Sequence, residues 1–138
     1  MSETSTSTLP SEKHKVLILE DTIELAEVME ATLTKMGLES KHETHAGKAL
    51  ELIKTFKPSV ILLDIGLPDM SGWKFLDAFK ETYKEDRPKF IVITAYGDPA
   101  NRLMGKLQEV SSYLIKPFEP ADVERVVGNV LGLPSTNS

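Results

Sequence analysis

Cysteine is absent from the 138 residues, so neither a disulfide framework nor a thiolate metal site can be built, which suits a reducing cytoplasm. No apolar run approaches the roughly 20 residues of a membrane span, and the head has no apolar segment of a signal peptide. A cytoplasmic protein without a membrane partner is therefore expected. Basic residues are in the minority, 16 against 21 acidic ones for a formal charge of −5. With no basic stripe either, direct nucleic-acid binding is poorly supported. The three histidines, His14, His42 and His45, form no converging set and are expected to be exposed. Internal repeats and extended low-complexity segments are absent.

What is present is alternation. Four apolar runs end in polar residues: Val16–Leu19 at Glu20 and Asp21, Val60–Leu63 at Asp64, Phe90–Ile93 at Thr94, and Tyr113–Ile115 at Lys116 and Pro117. Between them lie segments of helical periodicity. The first carries Leu25, Met29, Leu33 and Met36, with Gly37 as its stop, and the second carries Ala49, Leu50, Ile53 and Phe56, with Pro58 blocking its continuation. A third shows Phe75, Leu76, Phe79 and Tyr83, with Trp73 at its start as partial core. A fourth shows Leu103, Leu107 and Val110, with Asp98 as N-cap and Pro99 at the first helical position. The fifth shows Val123, Val126, Val127 and Val130, and the methionines, Met104 included, read as packing. A polar stretch around Glu39 to Thr44 predicts one further strand, at a sheet edge.

Continuous apolar strands alternating with amphipathic helices predict an α/β fold, a parallel sheet of five strands covered on both faces by five helices. The folded unit is expected over residues 15–132, between a disordered head, 1–14, and a flexible tail, 133–138.

Ligand crevices in such sheets form outside the carboxyl ends of the strands, which gathers the polar run-ends at one edge. Asp64 alone would read as an ordinary turn aspartate. Beside Glu20 and Asp21 it makes a cluster of carboxylates that repel one another and call for a cation, and hard oxygen ligands suit Mg2+ better than Zn2+. Lys116 adds a positive charge and Thr94 a hydroxyl. Metal, ammonium and hydroxyl together could receive a phosphoryl group.

These residues in this order, with Pro68 and Gly72 after Asp64, Ala95 after Thr94, and Pro117-Phe118 after Lys116, resemble the receiver domains of two-component response regulators. The likeness covers about Lys15 to Leu131 and is similar to the single-domain chemotaxis regulators. It implies a doubly wound, flavodoxin-like sheet of strand order 2-1-3-4-5. It also implies that Asp64 takes a phosphoryl group from the phosphohistidine of a sensor histidine kinase or a phosphotransfer protein. Mg2+ would be bound by Asp21, Asp64 and the backbone carbonyl of Gly66, with Glu20 acting through water. Lys116 and Thr94 would meet the phosphoryl oxygens, Tyr113 would be the aromatic switch, and the peptide before Pro117 would be cis. The implied output is a downstream protein target, or a homodimer, engaged through the face of helix 4, strand 5 and helix 5.

The sequence departs from the pattern at Glu20, where Asp is commoner, and at Glu109-Val110-Ser111-Ser112, which lacks a Gly-Ala pair. Gly66 and Tyr96 fall at positions that tune hydrolysis in the family. Such a chain is a signalling phospho-acceptor rather than an enzyme, acting alone or as a receiver excised from a hybrid kinase or effector-linked regulator. A haloacid-dehalogenase-like phosphatase would need a second Asp where Gly66 stands, and a flavodoxin-like or nucleotide-binding module would need a phosphate loop where Glu20 and Asp21 stand. A scaffold that binds partners without phosphorylation would not need the full acceptor set.

Overall fold

The computed structural model describes residues 14–95 and 99–134. The head before residue 14, the end of the tail, Tyr96 and the expected N-cap Asp98 lie outside them. Five strands and five helices alternate: β1 Lys15–Leu19, α1 Ile23–Lys35, β2 Glu39–Glu43, α2 Ala46–Phe56, β3 Val60–Asp64, α3 Gly72–Thr82, β4 Lys89–Thr94, α4 Pro99–Gln108, β5 Ser112–Ile115 and α5 Pro120–Leu131. All neighbouring strands are parallel, in the order β2-β1-β3-β4-β5. This is the doubly wound, flavodoxin-like arrangement expected from the sequence.

The strands read as unbroken apolar runs because both faces of the sheet are covered. Side chains alternate across a strand, so Val16, Ile18, Val60, Leu62, Ile91 and Ile93 pack on one face, beneath Met29 and Leu33 of α1 and Val123 and Val127 of α5. Leu17, Leu19, Ile61, Leu63 and Phe90 point the other way, against Ile53 and Phe56 of α2 and Phe75, Leu76 and Phe79 of α3. On that second face Phe79 meets Phe90 edge-on at 5.4 Å and stacks on Tyr83 at 4.6 Å, so the aromatic rings lock α3 to β4. Every residue of β3 is buried, Asp64 included. The polar strand β2 is half exposed at the edge, where its charges discourage further pairing.

Helix ends follow local chemistry. Gly37 stands at φ 83° just past α1, the left-handed geometry that glycine takes without strain. Lys57, the residue directly after α2, is left-handed too, at φ 53°, and Pro58 follows. Ser71 caps α3 by accepting from the Lys74 amide at 3.2 Å. On α5 the Glu119 and Asp122 side chains cap reciprocally, with Pro120 opening the helix.

The fourth helix corrects the reading of its periodicity. Leu103 and Leu107 are not core residues: they are 59% and 70% exposed, Met104 is exposed as well, and only Gly105 of this helix is buried. Val110 lies beyond the helix end and packs beside α3. Helical spacing reports that one face is apolar, and that face here looks outward. Glu109 follows α4 in a left-handed conformation at φ 62°, at the start of the segment that lacks the Gly-Ala pair. Two histidines also differ from expectation. His14 and His42 are partly buried, and only His45 is exposed.

Candidate functional site

Strand order reverses between β1 and β3, whose outgoing chains turn to opposite faces of the sheet. A crevice opens at that point. β1 delivers Glu20 and Asp21 to it, and β3 delivers Asp64. Carboxylate oxygens of the three residues lie within 4.8 Å of one another.

Asp64 is 5% exposed and held at both oxygens. Oδ1 accepts from the Gly66 amide at 2.9 Å, and Oδ2 faces Lys116 Nζ at 3.2 Å. The same ammonium reaches Glu20 Oε2 at 3.3 Å, so one cation bridges two buried acids. Lys116 arrives there because β5 pairs with β4 to its end, where the Lys116 amide donates to the Thr94 carbonyl oxygen at 2.7 Å. The peptide that follows, Lys116–Pro117, is cis.

Glu20 is fully buried, and its Oε2 accepts from the Thr22 amide at 3.1 Å. Oε1 is buried with no hydrogen-bond partner among the described residues. Burial pushes the Glu20 carboxyl up to about 7, the nearby Asp64 adds to the rise, and the Thr22 amide and Lys116 oppose it. A buried carboxylate with a bare oxygen is held at a cost that a cation would remove. Lys116 is itself held above its ordinary value: burial opposes its charge, and Asp64 and Glu20 outweigh that. The donor set is all oxygen and contains an orphaned buried atom, so these residues fit a hard divalent ion such as Mg2+. Asp21, exposed at the rim, belongs to the same carboxylate cluster, and Gly66 lines the same cavity.

The loop from Ile65 to Ser71 is pinned at both ends. Gly66 and Ser71 form a short antiparallel bridge, and the Gly72 amide donates to the Ile65 carbonyl at 2.8 Å. Gly72 must be glycine, since a Cβ there would stand 2.7 Å from the Asp64 carbonyl oxygen and 2.9 Å from Ile65 Cα. Midway, Asp69 accepts from the Ala46 and Gly47 amides at 3.0 and 3.1 Å, tying the loop to the first turn of α2. Those amides hold the Asp69 carboxyl below its usual range.

Asp21, Asp64, Gly66, Thr94, Asn101 and Lys116 line one cavity of about 340 Å3. Thr94 is buried beside Asp64 at the end of β4. Tyr113 is partly buried on β5, and its hydroxyl donates to the Arg102 carbonyl oxygen of α4 at 3.2 Å, so it stands against α4 rather than in this cavity. The structure thus gathers six of the site residues named from the sequence, Glu20 among them by its carboxylate, and leaves Tyr113 and Pro117 at their flanks. Sequence reasoning missed Asn101, whose partner is the Trp73 indole at 3.0 Å, and His42, whose Nε2 donates to the Glu20 carbonyl oxygen at 2.8 Å. Neither sits in a recognisable spacing, because both reach the site from elements distant in the chain.

The family model described as "Response regulator receiver domain" matches residues 16–127. The chemotaxis protein CheY of Thermotoga maritima is 32% identical over 118 residues, covering 84% of this chain and 96% of that one. "Probable transcriptional regulator ycf27" of Cyanophora paradoxa is 29% identical over 119 residues, 86% of this chain and 48% of its own. The chain spans about half the length of the ycf27 relatives it matches. A crystal structure from Chloroflexus aurantiacus J-10-fl, assigned as a response regulator, superposes with a TM-score of 0.79 at 27% identity, over 88% of this chain and 99% of the other.

Proposed function

The chain belongs to the response regulator receiver domain family, and from that premise we propose that Asp64 is the phosphoryl acceptor of a two-component or phosphorelay pathway. The single observation that carries this reading is the Lys116 ammonium set between the Asp64 and Glu20 carboxylates in one cavity with Asp21 and Thr94. A sensor histidine kinase or phosphotransfer protein supplies the phosphoryl group from its phosphohistidine. An Asp64 carboxylate oxygen forms the new bond to phosphorus while the bond to the imidazole nitrogen breaks, its electron pair leaving with the ring.

Asp21, Asp64 and the Gly66 carbonyl would hold Mg2+, with Glu20 acting through water, and the ion would supply charge neutralisation for the incoming phosphoryl oxygens. The residues of the chain do the rest. The Gly66 amide and Lys116 orient Asp64, and Lys116 stays protonated to meet the added charge. Thr94 offers its hydroxyl to a phosphoryl oxygen from the wall of the cavity. The chain is a signalling acceptor that assists its own phosphorylation rather than an enzyme acting on a released substrate.

For output we propose contact with a downstream protein, or a homodimer, through α4, β5 and α5, with Thr94 and Tyr113 linking the site to that face. Exposed Leu103, Leu107 and Ile115 support this assignment, because an outward apolar stripe gains from being covered. No described helix is long and apolar enough to cross a membrane, and a cytoplasmic location fits a kinase-fed acceptor. Because the chain spans about half of the ycf27 relatives, a second reading is that the same switch acts on a covalently attached effector.

The test is incubation with acetyl phosphate and Mg2+, read by intact mass. One phosphate should be added to the wild-type chain and none to Asp64→Ala or to protein stripped of divalent ions. An Asp64→Ala variant labelled as fully as wild type would refute the assignment.

A further inference from the structure

We propose that Asn101 is a positioning residue for the incoming phosphodonor, presenting its amide Nδ2 to a phosphoryl oxygen at the mouth of the Asp64 cavity. This rests on the phosphoryl-acceptor reading above. Asn101 lies in the first turn of α4, and Trp73 lies in the first turn of α3. The Trp73 indole N–H donates to Asn101 Oδ1 at 3.0 Å. An indole nitrogen can only donate, so the carboxamide oxygen must face Trp73 and the amide nitrogen must face away from it. That hydrogen bond is the one Asn101 side-chain contact of its kind among the described residues. Asn101 also lines the cavity shared by Asp64, Gly66, Thr94 and Lys116.

The orientation is therefore set by a neighbour that takes no part in the chemistry, and it leaves two N–H donors for a ligand. The ligand class follows from the walls. A small acyl phosphate entering here brings anionic oxygens, which amide donors favour, to an acceptor, Asp64, whose two carboxylate oxygens already face Lys116 and the Gly66 amide. In the transfer, an Asp64 oxygen bonds to phosphorus, and the phosphorus–oxygen bond to acetate breaks with its electron pair on acetate. No proton or further reactant is needed. Asn101 forms no covalent bond; it holds the phosphoryl group in line.

The experiment measures initial labelling rates of the full chain against acetyl phosphate concentration at fixed Mg2+, for wild type, Asn101→Asp, Asn101→Leu and Trp73→Phe, with melting temperatures alongside. Asn101→Asp keeps an oxygen for the Trp73 indole and replaces the amide donor by a carboxylate oxygen. It should raise the half-saturating acetyl phosphate concentration by about tenfold or more, the scale of one hydrogen bond to a charged oxygen. Asn101→Leu should raise it less, lacking the added repulsion, and Trp73→Phe should raise it least, because the donor survives but is no longer held. Half-saturation unchanged in Asn101→Asp and Asn101→Leu, with only the melting temperature lowered, would make Asn101 a strut between two helices and overturn the proposal. Asp64→Ala separates this from its premise. Equal labelling of that variant refutes acceptor and positioning residue together, whereas an unlabelled Asp64→Ala beside an unaffected Asn101→Asp refutes Asn101 alone.

Discussion

Replacing Gly105 by alanine tests whether Tyr113 is seated against α4. A Cβ built on Gly105 overlaps the Tyr113 hydroxyl and stands 2.5 Å from Cζ and 3.1 Å from Cε1, so the ring must leave. Leaving forfeits the hydrogen bond to the Arg102 carbonyl, about 1 kcal/mol. It also forfeits the Arg102 guanidinium, 6.0 Å from the ring centre, which at an exposed site contributes about 0.5 kcal/mol. Against this, alanine in a helix interior stabilises by about 1 kcal/mol over glycine. Gly105→Ala alone should thus change stability little, with a loss of about 0.5 kcal/mol from these figures. In a Tyr113→Ala background no ring stands in the way, and the same substitution should give the full gain of about 1 kcal/mol. The coupling between the two positions is then about 1.5 kcal/mol, well outside the few tenths expected of independent sites. Urea unfolding of the four proteins of the cycle measures it. Equal effects of Gly105→Ala in both backgrounds would show that the ring does not depend on the glycine, and the reasoning would fail.

Three further outcomes follow from the site. Glu20 sits at about 7 when folded against an ordinary 4.5, so between those values the folded chain keeps a proton the unfolded chain has lost, and stability falls as pH rises through that window. Melting scans without divalent ions should show this slope, and Glu20→Gln or saturating Mg2+ should flatten it; an unchanged slope in Glu20→Gln would locate the titration elsewhere. Asp69 is held below its ordinary 3.8, so its contribution is present above that value and is lost as pH falls through the lowered one. Asp69→Asn should melt earlier than wild type at neutral pH, and the gap should close in strong acid, as melting curves across pH would register. Gly72→Ala forces a Cβ onto the Asp64 and Ile65 backbone, which cannot swing aside; it should lose about 1–3 kcal/mol and slow acetyl phosphate labelling, read by denaturant melts and intact mass.

Most of the architecture was legible in the sequence because a buried parallel strand must be apolar on both faces and a covering helix must repeat every 3.6 residues. Val16–Leu19, Val60–Leu63 and Phe90–Ile93 could be little else, and the polar Glu39–Glu43 could only be an edge. The ends of those strands named Glu20, Asp21, Asp64, Thr94 and Lys116, since chain order and topology together send them to one rim. Tertiary structure decided what periodicity leaves open. An apolar stripe on α4 has no sign for inward or outward; in the folded chain Gly105 packs against Tyr113 while Leu103 and Leu107 face solvent. Contacts across the fold are equally silent in a linear reading: Trp73 to Asn101, Asp69 to the α2 amides, His42 to the Glu20 carbonyl. The order of residues determines which chemistry reaches the sheet edge, because period and polarity are local properties. How each group is aimed and which charge is held there depend on neighbours tens of residues away, which only the folded chain brings within hydrogen-bonding distance.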